Sequence, residues 1–323
     1  MLKISDLKNK IMHEDSYRRK LAVSQSLDLY SKQLKPPHIL FTGAAGTGKT
    51  TYSKVYGGKI MTNCPTALKI VCHQFLGESL QAEDFEYLLR DKRNMNVIFV
   101  DEVHNVKNRV LEHFYNYMEE RKVLGLRNKM VDGGESHVII GATTDKHLLP
   151  GPFITRFRLC FDIPNCGIFE SASIMLENAT ERKISITEEA SELITDIVWG
   201  VPRKIKHILE CLYSIVGSQD KQVIEENDVR YLMCSQGIYP KGLLKEDIEY
   251  MELLRDQFVP VALLTISTMI GKHRDYIMQH IEARLFPLGF IEKTSRGRRL
   301  TPEGVDYLEQ VVDNWKDVFV YGQ

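Results

Sequence analysis

Residues 38–52, HILFTGAAGTGKTTY, hold the reading on which the fold turns. A strand-like apolar run, His38 to Thr42, enters a loop with glycine at 43, 46 and 48, and the loop enters a helical segment. The loop fits G-x-x-x-x-G-K-[ST] at every fixed position and lies in the strand-loop-helix setting the motif requires. Glycines let successive backbone N–H groups turn inward around phosphate oxygens, and the start of the following helix adds partial positive charge. Gly43, Gly46 and Gly48 are therefore expected to cradle a nucleoside triphosphate such as ATP. Lys49 is expected to reach its β- and γ-phosphates and Thr50 to sit on Mg2+, with Thr51 among the nucleotide contacts.

The next apolar run, Val97 to Val100, ends in Asp101-Glu102. Paired carboxylates at the end of a buried strand imply a cation there. Asp101 is read as part of the Mg2+ shell and Glu102 as the base that polarises the attacking water. A third run, His137 to Gly141, leads into Ala142-Thr143-Thr144, and a hydroxyl at that strand end could sense the γ-phosphate or orient water. Transfer of a phosphoryl group also needs cations beyond Lys49. Arg156 in GPFITRF (151–157), with no acid beside it in the sequence, and Arg203 in GVPR (200–203) are the candidates.

Strands apolar on both faces and separated by helices predict an α/β P-loop domain, a parallel sheet with helices on both sides, over residues 1–162. Strand signals then fade. Ile205, Ile208, Leu209, Leu212 and Ile215 fall at helical spacing after Pro202, which suits a first helical position, so 163–240 reads as a helical lid. Over 241–323, three helical patterns precede two short strand-like pieces around Ser295-Arg296-Gly297, the outline of a winged helix. Lys293, Arg296, Arg298 and Arg299 face the single acid Glu292 in that window, and Lys272 and Arg274 open the preceding helix. A basic wing and a basic helix start suit the phosphates of duplex DNA.

Composition sets the limits. At 323 residues the chain is long enough for two or three domains, and 43% hydrophobic with 26% charged residues is ordinary for a globular protein. The formal charge of −1 rules out a global basic field, so any nucleic-acid contact must be a local patch. The charged start has no signal-peptide core, and no apolar stretch approaches a membrane span, so a cytoplasmic protein without membrane contact is expected. The six cysteines form no C-x-x-C pair and read as reduced core residues.

The order GAAGTGKTT, VDEVH, GATT, PFITRF, GVPR and a wing ending in TSRGRRLT resembles the RuvB family, AAA+ motors of Holliday-junction branch migration. The resemblance implies a homo-hexameric ring that hydrolyses ATP at its subunit interfaces, with Arg156 reaching the γ-phosphate of the neighbouring subunit. It makes Thr143 the sensor-1 residue and Arg203 the sensor-2 arginine. It also implies a RuvA-like junction-binding partner, which docks on a hairpin at residues 123–136 that reads as shorter here. Ile154 stands where the family usually has a further arginine, and the first 35 residues leave the adenine contacts unassigned. The rival readings are an AAA+ clamp or helicase loader and an ATP-switched DNA-binding regulator, neither of which translocates.

Overall fold

A computed structural model describes residues 10–125, 129–134, 137–257 and 259–312. The described chain divides into two compact units. One runs to Ser171 and includes Gly200–Lys204; the other holds Ala172–Trp199 and the chain from Ile205 on.

The first unit is built on seven strands: β1 (Ile39–Thr42), β2 (Lys69–Leu76), β3 (Asn94–Asp101), β4 (Lys122–Leu124), β5 (Met130–Asp132), β6 (Val138–Thr143) and β7 (Leu159–Asp162). Five of them form a parallel sheet in the order β2-β3-β6-β1-β7. The uninterrupted apolar pattern of β3 follows from burial on both faces. Ile98 and Val100 join Leu40 and Ile139 under Phe85, Phe114 and Phe153, while Val97 and Phe99 join Phe41 and Ile140 under Leu27, Tyr56 and Ile60. Register places Thr42 beside both Thr143 and Asp162, and Leu76 beside Asp101, so the strand ends share one edge of the sheet. The motif loop leaves that edge from β1, which is where ligands bind in open α/β sheets.

Sequence periodicity did not expose β2 or β7. β2 is an edge strand with no buried residue, and its mixture of Lys69, His73 and Gln74 with apolar residues hides the strand pattern. β4 and β5 pair antiparallel, with Val123 and Val131 buried and the cross-strand pair Leu124 and Met130 exposed. Of the segment 123–136, residues 126–128 and 135–136 lie outside the described residues.

The second unit contains the helices Glu188–Val198 and Glu226–Gln236 and most of Pro202–Ser218. Local chemistry sets their ends. The Thr187 side chain accepts from Ala190 N, a Glu225/Asp228 capping box opens one helix, and Gly237 closes it at φ 64°. Contrary to the loss of strand signal, this region has a two-residue parallel pair, β8 (Ser185–Ile186) with β9 (Val223–Ile224). β10 (Ile238–Tyr239) and β11 (Leu243–Leu244) then double back on each other.

Three helices follow: Lys245–Arg255, Leu263–Ile270, and a continuous run through Arg274–Tyr276, the π turn Ile277–Glu282 and Ala283–Leu285. The hairpin β12 (Ile291–Thr294) and β13 (Gly297–Leu300) is the wing. Ile277, Ile281 and Leu285 are fully buried at helical spacing, as the pattern required. The cysteine reading needs correction: all six are free, but only Cys166 is buried; Cys64, Cys211 and Cys234 are half-buried, and Cys72 and Cys160 are exposed on β2 and β7, the sheet's edges. Among the described residues no helix is long and apolar enough to cross a membrane.

Candidate functional site

The motif loop is a cradle only glycine can make. Gly43, Gly46 and Gly48 have φ of 139°, 82° and 103°. A Cβ at Gly43 would stand 2.4 Å from Ile163 O, and one at Gly46 would stand 2.9 Å from Val201 Cγ1 and 3.0 Å from Arg203 Cβ. Lys49 is buried, and its Nζ donates to Gly43 O and Ala44 O, both at 2.9 Å. Burial lowers its pKa, while the nearby Glu102 and Asp101 charges act the other way. Arg203 is exposed, and its charge also bears on Lys49, so the structure brings it to the loop. Thr51 is exposed on the first turn of the helix Lys49–Asn63.

Thr50 Oγ1 donates to Asp101 Oδ2 at 2.8 Å. A hydroxyl and a carboxylate are hard oxygen donors, the set that Mg2+ takes in small number while phosphates and water fill the rest of its shell. Among the described residues no group of three or more His, Cys, Asp or Glu could cage a metal alone. Glu102 follows Asp101 in a left-handed conformation, φ 48° and ψ 54°, with its N–H donating to Asp101 Oδ1 at 3.1 Å. A non-glycine residue held there is a strained position of the kind that clusters at functional sites.

The two threonines after β6 differ. Thr143 is fully buried; its Oγ1 lies 2.8 Å from His104 Nδ1 and accepts from Asp145 N at 3.0 Å. Thr144 holds Glu102: its N–H and Oγ1 donate to Oε2 at 3.0 and 2.9 Å. His104 Nδ1 is 3.4 Å from the same oxygen, so one network joins both threonines to Glu102. The sequence reading missed Thr144 and His104. The signal was available, because consecutive residues at a strand end point in opposite directions and only one threonine can face the acids.

Arg156 is not without a partner in its own chain, as its sequence neighbourhood had implied. It pairs through Nη2 with Glu119, donates from Nη1 to Pro152 O at 2.7 Å, and stacks 5.0 Å from the Tyr115 ring centroid. Glu119 is 37 residues away on the helix Asn108–Glu120, so the pair exists only in the fold. None of its contacts belongs to the motif loop or the strand-end acids.

In the second unit the basic residues separate into paired and free. Arg298 donates to Glu282 at 2.8 and 3.2 Å, with side chains only 11% and 4% exposed, and Tyr250 OH donates to the same acid at 2.8 Å. Lys272 pairs with Glu246 at 2.7 Å and lies 4.5 Å from the Tyr276 ring centroid. Arg298 is thus held in an internal network rather than presented to a ligand, contrary to its reading as a phosphate contact, whereas the Lys272 side chain is paired but still 34% exposed. Arg299 pairs with Glu292 at the surface. Lys293, Arg296 and Arg274 are exposed and have no acid partner among the described residues.

The parallel sheet, the glycine cradle, the strand-end acids and an appended winged helix define a P-loop ATPase of the AAA+ class. Residues 9–163 match the Holliday junction DNA helicase RuvB P-loop domain, and residues 240–309 match the RuvB C-terminal winged helix domain. The chain is 30% identical over 312 residues to the Holliday junction branch migration complex subunit RuvB of Mesomycoplasma hyopneumoniae, covering 94% of this chain and 92% of that one. It is 28% identical to the subunit of that name from Mycoplasmopsis synoviae, over 84% of this chain and 86% of that one. The chain belongs to the RuvB family. A solved Thermotoga maritima RuvB Holliday junction branch migration motor has the same fold, with a TM-score of 0.69, 22% identity and coverage of 95% of both chains.

Proposed function

We propose that this protein is a RuvB-type motor that hydrolyses ATP to drive duplex DNA through a ring and migrate Holliday junctions. The observation that carries this reading is the union, in one chain, of a complete P-loop and strand-end acid set with a wing whose exposed Lys293 and Arg296 have no acid partner among the described residues. The three-part division into a P-loop domain (1–162), a lid (163–240) and a winged helix (241–323) fits the reading.

In the proposed reaction, Glu102 takes a proton from water as its oxygen attacks the γ-phosphorus, and the bond to the β–γ bridging oxygen breaks. Lys49 holds the β- and γ-phosphates, Thr50 and Asp101 hold Mg2+, and Gly43, Gly46, Gly48 and Thr51 line the cradle. Bound Mg2+ supplies charge neutralisation across those phosphates. Thr143 acts through His104 and Thr144 orients Glu102, while Arg203 reads nucleotide state. Arg156 leaves Glu119 to serve the site of the next subunit in a homo-hexamer. Arg274, Lys293, Arg296 and Arg299 contact the DNA backbone. The exposed Leu124 and Met130 on the β4–β5 hairpin suit a RuvA-like partner, and the cytoplasm suits a DNA motor.

The test is ATP turnover by the purified protein alone and with single strand, linear duplex or a synthetic four-way junction, scoring arm separation in the same tubes. Stimulation by duplex or junction with ATP-dependent separation supports the motor. Turnover without separation, even with a RuvA-like protein added, sinks it in favour of a loader.

A further inference from the structure

The chain between lid and winged helix is not a loose tether. β10 and β11 pair Ile238 with Leu244 and Tyr239 with Leu243, so Pro240-Lys241-Gly242 becomes the tip of a tight turn. The end of the lid helix Glu188–Val198 grips that tip. Asp196 accepts from Lys241 N at 3.0 Å and pairs with Lys241 Nζ at 2.6 Å. The Trp199 indole N–H donates to Lys241 O at 2.6 Å, and its ring packs on the apolar core of the winged helix. A Cβ at Gly242 would stand 2.4 Å from Ile197 O, so the two backbones touch where only glycine fits. From the far side, Tyr307 OH donates to Pro240 O at 2.6 Å.

A gripping residue and the residue it grips are both held in left-handed backbone conformations, Trp199 at φ 57° and Lys241 at φ 62°. Non-glycine residues stay there only when their surroundings over-determine them. Trp199 is also the last residue of its segment in the second unit. The next stretch, Gly200–Lys204, belongs to the P-loop unit and carries Arg203 four residues on.

We propose that Asp196, Trp199 and Lys241 lock lid and winged helix into a single lever, so that displacement of the lid reaches Lys293 and Arg296 without loss. Trp199 is a positioning residue that acts through the turn it holds. The inference rests on the motor reading for its purpose, but the lever itself is a property of this unit.

Spin labels on genetically encoded ketone residues at the exposed positions Ser214 and Ser295 leave the native thiols unlabelled. The labels are expected to give one narrow distance, the same within about 2 Å with ADP and with a non-hydrolysable ATP analogue. A shift of more than about 5 Å between the two states overturns the lever. Trp199→Ala should broaden the distance and cut arm separation per ATP hydrolysed by at least about tenfold, with turnover within about threefold of the parent. Asp196→Asn, which still accepts from Lys241 N, should stay near the parent. Parent-like separation by Trp199→Ala refutes the coupling.

Should Trp199→Ala not fold, a disulfide between Asp196→Cys and Lys241→Cys decides the matter. Separation should survive the lock; loss of separation that reduction restores refutes a rigid lever. If the parent protein separates no arms, the motor reading has failed, and the distance measurement still decides the lever.

Discussion

Replacing Thr144 by valine removes one donor from Glu102 and leaves the backbone N–H of residue 144 in place. The lost bond is 2.9 Å long and its acceptor is a carboxylate. Hydrogen bonds to charged groups contribute about 1.5–3 kcal/mol, and this one is exposed, so the lower end applies. The bond positions Glu102 rather than stabilising charge that develops in the reaction, so its full value is an upper bound and, with each 1.36 kcal/mol worth tenfold in rate, kcat should fall by up to about tenfold. Nucleotide affinity should hold within about threefold, because Thr144 touches the acid and not the cradle. Thr143→Val differs in kind. It strips the partner from His104 Nδ1 and Asp145 N at a fully buried position, which should cost about 1–3 kcal/mol of stability. Steady-state ATP hydrolysis, nucleotide titration and urea unfolding of both variants decide between the threonines. A rate defect confined to Thr143→Val, with Thr144→Val turning over normally, would refute the assignment of Glu102 to Thr144.

Arg156→Ala should bind nucleotide normally and lose most turnover, and mixing it with Glu102→Gln should restore part of that turnover at mixed interfaces; mixing without any gain argues against action in trans. Lys293→Ala and Arg296→Ala should each flatten the salt dependence of duplex binding by about one ion, whereas Arg299→Ala, already paired with Glu292, should change it less. Stability should fall with acid. His38 is buried, Ile139 N donates to its Nδ1 at 2.9 Å, and Arg121 Nη1 lies 2.8 Å from its Nε2. Burial and then the Arg121 charge push its pKa from 6.5 to about 3, so the fold favours the neutral ring. That stability is complete above pH 6.5 and is lost as pH falls toward 3, amounting to about 2 kcal/mol by pH 5. His38→Gln should flatten the midpoint of urea unfolding across that range.

Much of the first unit was legible because backbone constraints leave marks on sequence. Glycines at 43, 46 and 48 report positive φ, and an apolar run closed by Asp101-Glu102 reports a strand buried on both faces with a charged exit. The wing was legible for the same reason: Gly297 lies at φ 146° where β12 turns into β13. What stayed hidden depends on neighbours distant in sequence. β2 at the sheet edge is half-exposed throughout, so neither helical nor strand periodicity declares it.

The hidden partners of the arginines decide function, because two residues that look alike in sequence have opposite fates. Arg298 lies against an almost fully buried acid, with 11% and 4% exposure across the pair. Breaking such a pair leaves an uncompensated buried charge and costs about 3–5 kcal/mol, so Arg298 cannot be lent to a phosphate. Arg156 and Glu119 are 27% and 62% exposed, and a pair of that kind is worth about 0–1 kcal/mol. In the proposed hexamer a neighbouring subunit's γ-phosphate would therefore draw Arg156 away almost without cost, with the Tyr115 ring and Pro152 O beside the guanidinium. On this reasoning Glu119→Gln should leave turnover within about fivefold of the parent. A collapse of ATP hydrolysis in Glu119→Gln would mean that the pair itself, and not its release, is the working state of Arg156.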